Sequence, residues 1–305
     1  MGTPEFAVPT LEAIHKSTHE IVAVITSVDK MGGRGGKKVL SSAVKKYAED
    51  HNLYILQPKN LKSKDFNKEL KALKADVQIV VAFRMLPEMV WNMPPLGTIN
   101  LHGSLLPKYR GAAPINWAVI NGDPFTGVTT FKLKHEIDTG DMIYQTKVLI
   151  NDQDSAGDVH DKMMVEGAKL MLKTLNDLSD DNIEFKMQRE SEVSKAPKIY
   201  RETCKIDFNR KVEDVHNFIR GLSPYPGAWC AINQNTELKI LKAHYNLTDE
   251  THSTGTLHTD NKSYLKIDCL GGQVILDVVQ LSGKKRMKVK DLLNGYKFDD
   301  KSILD

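Results

Sequence analysis

Residues 98–107 read Thr-Ile-Asn-Leu-His-Gly-Ser-Leu-Leu-Pro, an apolar strand that runs into a turn opened by glycine. Side chains alternate between the faces of a strand, so Asn100 and His102 project to one side and Leu101 to the other. A carboxamide and an imidazole therefore stand side by side where this strand ends. Open α/β sheets bind ligands at this edge. The stretch is the predicted chemical centre of the chain.

Strands alternate with helices on both sides of this centre. The continuous apolar runs are typical of buried parallel strands. Strands are predicted at 21–26, 53–56, 77–82, 98–101, 127–133 and 142–150, and helices at 9–16, 42–51, 66–73, 86–91, 114–121 and 158–178. This alternation predicts an α/β catalytic domain over residues 1–190, built on a doubly wound, mostly parallel sheet.

The pattern changes after this domain. Residues 191–206 are basic, contain Pro197 and are predicted to form a linker. A helix is predicted at 211–220, and short strands follow at 227–232, 238–243, 255–257, 264–267 and 273–281. Several short strands separated by turn residues predict a small closed barrel, similar to an OB fold, over residues 207–305.

The first residues are unusual for an α/β domain. Residues 2–6 read as a loop that leaves a strand, and a helix follows them. We expect that a first strand of a few apolar residues is missing ahead of this loop. The alternative is that the protein begins at Met1.

Composition narrows the class of protein. The 305 residues are 41% hydrophobic and 27% charged, which is ordinary for two globular domains. No apolar run approaches membrane-spanning length, and no signal peptide is visible. The three cysteines fit no zinc spacing and no disulfide framework, which favours a reducing cytoplasm. The formal net charge of +3 does not by itself indicate a nucleic-acid partner.

The side chains at the centre suit stabilisation of an oxyanion. Asn100 can donate a hydrogen bond to a carbonyl oxygen, and a protonated His102 donates more strongly. A histidine that stays protonated near neutral pH needs a carboxylate partner. The best candidate is Asp138, in the loop His-Glu-Ile-Asp-Thr-Gly-Asp at 135–141, which joins two predicted strands. No metal is implied.

An ordered series of motifs resembles the methionyl-tRNA formyltransferase family. The series comprises residues 100–107, Tyr-Arg-Gly-Ala-Ala-Pro at 109–114 and Asp-Thr-Gly-Asp at 138–141, together with 2–6, 219–229 and 283–287. The resemblance implies a Rossmann-like formyltransferase domain. It also implies transfer of a formyl group from N10-formyltetrahydrofolate to the α-amino group of methionine on initiator tRNA.

The resemblance also implies roles for individual residues. Asn100, His102 and Asp138 match the catalytic trio. The residues that match folate-contacting positions are Ser104, Leu105, Leu106 and Pro107, the loop residues Phe83, Met85 and Leu86 beside the pterin, and Asp141. The sequence Phe83-Arg84-Met85 replaces the family's more usual Tyr-Gly pair.

Basic residues are the candidates for contact with tRNA phosphates. They lie in a glycine-rich loop, in the linker and near the end of the chain: Arg34, Lys37, Lys38, Lys198, Lys285 and Arg286. A monomer in the cytoplasm is expected. Two other functions stay open, namely a formyl-folate enzyme that acts on a small amine, and an RNA-binding protein that has lost catalysis.

Overall fold

A computed structural model describes residues 1–32, 36, 38–233, 236–248 and 253–298. The chain forms two compact units. The first comprises Met1–Gly111, Gly127–Val148 and His160–Lys195, and the second comprises Ala112–Thr126, Leu149–Val159 and Ala196–Asp305. The boundaries 1–190, 191–206 and 207–305 stay a prediction. Arg34 and Lys37 lie outside the described residues.

The predicted helices and strands occur in the predicted order, together with further short elements that the sequence analysis does not assign. The strands are β1 (Val24–Ile25), β2 (Lys30–Gly32), β3 (Lys38–Leu40), β4 (Ile55–Leu56), β5 (Gln78–Val81), β6 (Thr98–His102), β7 (Arg110–Gly111), β8 (Phe125–Lys132), β9 (Met142–Leu149), β10 (Lys195–Ala196), β11 (Ala228–Ile232), β12 (Thr236–Leu247), β13 (Leu257–Thr259), β14 (Leu265–Cys269), β15 (Gly272–Leu281) and β16 (Met287–Lys288). The helices are α1 (Val8–His15), α2 (Ala43–Asp50), α3 (Lys64–Ala72), α4 (Glu88–Trp91), α5 (Pro114–Ile120), α6 (Ala156–Ser179), α7 (Val212–Gly221) and α8 (Val289–Gly295).

The first unit contains the α/β sheet. β1 pairs with β4 and β5 pairs with β6, and both pairs are parallel. β6 is antiparallel to β8, which neighbours β9. The sheet is therefore mixed, and β6 and β8 are antiparallel even though helix α5 lies in the connection between them. The predicted α/β class is confirmed.

Met1 and Gly2 connect two parts of this unit, namely the β1–β4 pair and the sheet β5-β6-β8-β9. The amide of Gly2 donates to the carbonyl of Ile25 at 3.1 Å, and the amide of Val81 donates to the carbonyl of Met1 at 2.9 Å. A Cβ at Gly2 would lie 2.7 Å from the Cβ of Ala7, so only glycine fits there. A cleft of about 550 Å³ lies beside this connection, lined by both parts of the sheet. The expected additional first strand stays a prediction.

The glycine-rich segment is more ordered at its ends than the sequence suggests. The sequence analysis assigns no strand to residues 29–38, yet β2 and β3 form an antiparallel ladder that pairs Lys30 with Leu40 and Gly32 with Lys38. These short strands are largely exposed. They therefore lack the alternation of buried and exposed residues by which sequence reasoning recognises a strand.

The second unit is built on a curled antiparallel sheet. Its strand order is β11-β12-β15-β14-β13, and β16 pairs with β15. The register shifts around Lys242 in β12, and such irregularities bend a strand. Helix α7 packs Val212, Val215 and Ile219 into the core between this sheet and α8. The small β domain predicted from its short strands is confirmed.

Within the described ranges, no helix is both long and apolar enough to span a bilayer. All three cysteines are buried free thiols. Burial raises the pKa of Cys269 to about 12 and also raises that of Cys204. The thiol forms of both residues therefore dominate at neutral pH.

Candidate active site

The central strand places its polar side chains at one edge of the first unit's sheet. β5 and β6 run in parallel, with Val81 opposite Leu101, so both strands end at the same edge. The loops at 82–87 and 103–109 leave from these ends. They are therefore neighbours at the position where open α/β sheets bind ligands.

Asn100 and His102 occupy alternate positions of β6, as predicted. Asn100 is half-buried, and its carboxamide has no hydrogen-bond partner within the described part of the chain. His102 is only 6% exposed. Its Nε2 lies 2.9 Å from the carbonyl oxygen of Tyr109, to which it donates. The accessible donor is therefore Asn100, whereas the imidazole is enclosed by protein.

Asp138 reaches the other side of the imidazole. One carboxylate oxygen, Oδ2, lies 3.7 Å from Nδ1 of His102. The same oxygen accepts a hydrogen bond of 2.9 Å from the backbone amide of Gly111. The structure thus brings together Asn100, His102 and Asp138, which are separated by as many as 38 positions in the sequence. The two nitrogens of His102 face a carbonyl and a carboxylate.

The loop that carries Asp138 has an unusual backbone conformation. Asp138 has φ = 57°, in the left-handed region that L-residues rarely adopt. A Cβ at Gly140 would collide with the carbonyl oxygen of Lys132, so this position requires glycine. The side-chain amide of Gln188 donates to the carbonyls of Asp138 and Gly140 at 2.7 and 2.8 Å. These contacts hold the backbone on both sides of Thr139.

The segment predicted to contact folate is held to β8 and β9. Oγ1 of Thr129 donates to the carbonyl of Ser104 at 2.7 Å and accepts from the amide of Leu106 at 3.1 Å. The side-chain amide of Gln145 donates to the carbonyl of Leu106 at 2.8 Å. Ser104 is fully buried, and its hydroxyl donates to the carbonyl of Lys108. This hydroxyl therefore shapes the turn.

The remaining residues of the segment and the neighbouring loop differ in exposure. Leu106 and Pro107 are buried, whereas Leu105 is half-buried. In the loop after β5, Phe83 packs against the cluster that contains the buried Leu86, and Met85 is 73% exposed. Phe83 and Leu86 thus join the apolar core, whereas Met85 is open to solvent.

Asp141 is positioned differently from Asp138. Its carboxylate pairs with Lys134 at 2.8 Å, and its backbone carbonyl accepts from the amide of Lys132. The side chain is about a quarter exposed. Asp141 thus lies in the same loop as Asp138, and its carboxylate is paired with Lys134.

Comparison with known proteins identifies the family. The sequence model of the formyl transferase family matches residues 1–175, and that of the formyl transferase C-terminal domain matches residues 198–297. The methionyl-tRNA formyltransferase of Parabacteroides distasonis is 50% identical over 306 residues, which cover 97% of this chain and 94% of the relative. The enzyme of the same name from Flavobacterium johnsoniae is 49% identical over 306 residues, covering 99% and 96%. The chain belongs to the methionyl-tRNA formyltransferase family.

A solved structure has the same fold as this family member. An N-formyltransferase from Helicobacter canadensis, determined with folinic acid and dTDP-3-aminofucose, superimposes with a TM-score of 0.67. It is 24% identical in sequence, and the match covers 90% of this chain and 96% of that structure. At this identity the comparison demonstrates a shared fold only.

Four of the predicted tRNA-contacting positions of this formyltransferase are on exposed surface. Lys38 lies on β3, while Lys285 and Arg286 precede β16. Lys198 is also exposed, and its ammonium group lies 5.2 Å from the centre of the Tyr200 ring. All four side chains are accessible to a polyanion, which phosphate contact requires.

Sequence reasoning missed Gln188 and Thr129 in this formyltransferase. Both residues act on backbone groups of the predicted site loops. A side chain that binds a distant backbone carbonyl has no characteristic spacing in the sequence. Among the described residues, no group of three or more His, Cys, Asp or Glu side chains is arranged to hold a metal ion.

Proposed function

We propose that this chain transfers the formyl group of N10-formyltetrahydrofolate to the α-amino group of methionyl initiator tRNA. One observation supports the chemistry most directly. An accessible carboxamide on Asn100 stands two residues from an imidazole that faces the Asp138 carboxylate at 3.7 Å. Such a group of donors suits a carbonyl oxygen that becomes negative during acyl transfer.

The acceptor amine needs little activation. A free α-amino group titrates near about 7.7, and an adjacent ester lowers its pKa further. Much of the amine is therefore neutral at physiological pH. Its lone pair attacks the formyl carbon, and the carbonyl electrons move onto oxygen. Approximation of two large substrates supplies much of the rate acceleration.

The proposed roles of the side chains follow from their positions. The Asn100 amide donates to the developing oxyanion. Nε2 of His102 becomes a second donor when it leaves the carbonyl of Tyr109. Asp138 holds the imidazole in its orientation. As the intermediate collapses, the bond to N10 breaks, and the proton lost by the amine reaches N10 through water.

The folate site is proposed at the same edge of the sheet. The backbone of residues 104–107 is held by Thr129 and Gln145, which makes it a rigid contact surface. Phe83, Met85 and Leu86 would contact the pterin, and Asp141 completes the proposed set. N10-formyltetrahydrofolate supplies the activated formyl group.

Transfer RNA is proposed to bind through the basic residues. Arg34, Lys37 and Lys38 would contact the acceptor stem, and Lys198, Lys285 and Arg286 would contact further phosphates. We also propose that the protein is a monomer and acts in the cytoplasm, where charged tRNA and reduced folate occur together. Light scattering of the pure protein tests the oligomeric state.

An acceptor comparison tests the function. The protein is incubated with radiolabelled formyltetrahydrofolate and either charged initiator tRNA, charged elongator tRNA, glycinamide ribonucleotide or an amino sugar nucleotide. We expect label on initiator methionyl-tRNA. Label on a small amine only would overturn the proposal in favour of a small-molecule enzyme. Binding of tRNA without any transfer would instead indicate an RNA-binding protein without catalysis.

A further inference from the structure

Gln188 contacts the proposed site without belonging to any motif that the sequence reveals. Its Nε2 donates to two carbonyl oxygens, that of Asp138 at 2.7 Å and that of Gly140 at 2.8 Å. Both hydrogens of the amide nitrogen are thus used on one loop. Gln188 is half-buried and lies in an irregular segment between α6 and β10.

Arg110 determines which end of the Gln188 amide faces the loop. Nε and Nη2 of Arg110 lie 3.0 and 2.8 Å from Oε1 of Gln188. A guanidinium group only donates hydrogen bonds, so the oxygen of Gln188 must face Arg110 and the nitrogen must face the loop. The outer nitrogens of Arg110 pair with Glu190, whose nearer contact is 2.8 Å. This hydrogen bond lowers the pKa of the Glu190 carboxyl group.

The loop needs support from outside. Asp138 has φ = 57°, and residues in sparsely populated backbone regions persist when their surroundings hold them there. The loop makes one further internal contact, from Oγ1 of Thr139 to the carbonyl of Glu136 at 3.1 Å. Gln188 adds contacts to the backbone on both sides of Thr139. It therefore restrains the rotation that would swing the Asp138 carboxylate away from His102.

The same segment also holds the other partner of the imidazole. Oγ of Ser194 accepts from the amide of Tyr109 at 2.9 Å, and the carbonyl of Ser194 accepts from the amide of Arg110 at 2.9 Å. Tyr109 supplies the carbonyl that binds Nε2 of His102. Residues 188–194 thus contact the backbone behind both groups that face the imidazole.

We propose that Gln188, oriented by Arg110, is a positioning residue for formyl transfer that acts through the backbone of the Asp138 loop. This proposal rests on the proposed function, because it assumes that Asp138 orients His102 during the reaction. The recorded partners of the Gln188 side chain are Arg110 and the backbone of the Asp138 loop. Its contribution is to keep Oδ2 of Asp138 within 3.7 Å of the imidazole.

The substitution Gln188→Glu tests the donor nitrogen of the side chain separately from its acceptor oxygen. It retains the size of the residue and an oxygen for Arg110, but it replaces the donor nitrogen by an oxygen that faces two carbonyls. We expect kcat to fall by about 10- to 100-fold, the scale of a small misplacement of a reacting group. The KM values for folate and for tRNA should stay within about twofold, since no binding contact changes.

A matched variant tests whether a fall in kcat with unchanged KM values is specific to Gln188. Gln145 is the second glutamine whose amide holds a site loop, through the carbonyl of Leu106 at 2.8 Å and Oγ1 of Thr129 at 2.9 Å. Gln145→Glu should raise the KM for folate and lower kcat by less than Gln188→Glu does. A kcat loss of equal size in both variants would overturn the positioning role of Gln188. Thermal melting of each variant shows whether the fold is retained.

A double-mutant cycle and hydrogen exchange complete the test. In an Asp138→Asn background, Gln188→Glu should have little further effect on kcat, because the group that it positions is already altered. Full additivity would overturn the proposal. Amide exchange of residues 136–141 should accelerate in Gln188→Glu, and this readout does not depend on activity. Unchanged exchange would overturn the positioning role of Gln188. Faster exchange in a protein that fails to formylate tRNA would overturn only the proposed function.

Discussion

The backbone amide of Gly111 donates a hydrogen bond of 2.9 Å to Oδ2 of Asp138, the same oxygen that faces the imidazole of His102. Gly111 follows Arg110 in β7, so a short strand orients a carboxylate from a loop 27 residues away. The direction of the carboxylate is thereby fixed by the backbone. A substitution at Asp138 that retains an acceptor oxygen keeps this contact and changes only the charge.

Asp138→Asn is expected to abolish most of the catalytic rate. The asparagine oxygen can still accept from Gly111, but no negative charge faces His102. We expect kcat to fall by about 100-fold or more, as for other losses of acid–base function. Single-turnover formylation measures this effect. The exposed Glu136 in the same loop provides the control Glu136→Gln, and equal rates for the two variants would contradict the role of Asp138.

Thr129→Val is expected to weaken the use of folate. The substitution removes the hydroxyl that joins Ser104, Leu106 and Gln145. Loss of one or two such bonds corresponds to an increase of about 3- to 30-fold in the KM for folate. Steady-state kinetics with varied folate measures it.

The neighbouring Thr130→Val is a matched control for Thr129→Val. Both threonines are fully buried, but Oγ1 of Thr130 contacts Oγ1 of Thr174 in α6 at 2.9 Å. Thr130→Val should lower the free energy of unfolding without raising the KM for folate. A similar increase in KM for both variants would show that the effect is general rather than local.

Gly140→Ala is expected to destabilise the first unit and displace the Asp138 loop. The new methyl group would collide with the carbonyl of Lys132. Overpacking of this kind costs about 1–3 kcal/mol. Denaturant unfolding measures the change in the free energy of unfolding. Gly295→Ala is the control because a Cβ there meets no atom within 4 Å, and its free energy of unfolding should be unchanged or higher.

Lys285→Ala combined with Arg286→Ala is expected to weaken use of tRNA. Each lost phosphate contact should reduce the salt dependence of binding by about 0.7 to 0.9 in log–log slope. Filter binding at several salt concentrations measures the slope, and the KM for folate should not change. The exposed Lys262, which lies outside the proposed surface, provides the control Lys262→Ala. An equal loss in the control would indicate a diffuse effect of net charge.

The side chains proposed to act in the reaction were easier to predict from the sequence than the contacts that hold them in place. Asn100 and His102 follow from strand alternation, and Asp138 follows from the need for a carboxylate in a loop at the same edge. Gln188 could not be found in this way, because its partners are the backbone carbonyls of residues 138 and 140. No pairing of side-chain types marks such a contact in the sequence.

The architecture was predictable to a similar degree. Apolar runs marked the buried strands β5 and β6, but the exposed ladder of β2 and β3 had no such signal. Sequence order also conceals that α5 belongs to the second unit, where Asn116 donates to the carbonyl of Gly221 and Trp117 to that of Pro197. These contacts join residues 80 to 105 positions apart, beyond the reach of local patterns.

The connection through Met1 and Gly2 has a consequence for how the first unit comes apart. Within the described residues, the β1–β4 pair and the β5-β6-β8-β9 sheet share no strand ladder with each other; Met1 hydrogen-bonds to β5, and the next residue, Gly2, hydrogen-bonds to β1. The two parts also share one apolar core, in which Ile25 and Leu56 pack with Val80. A substitution at Gly2 should therefore loosen β1 and β4 locally, so that their amide hydrogen exchange accelerates before that of the strand that carries Asn100 and His102.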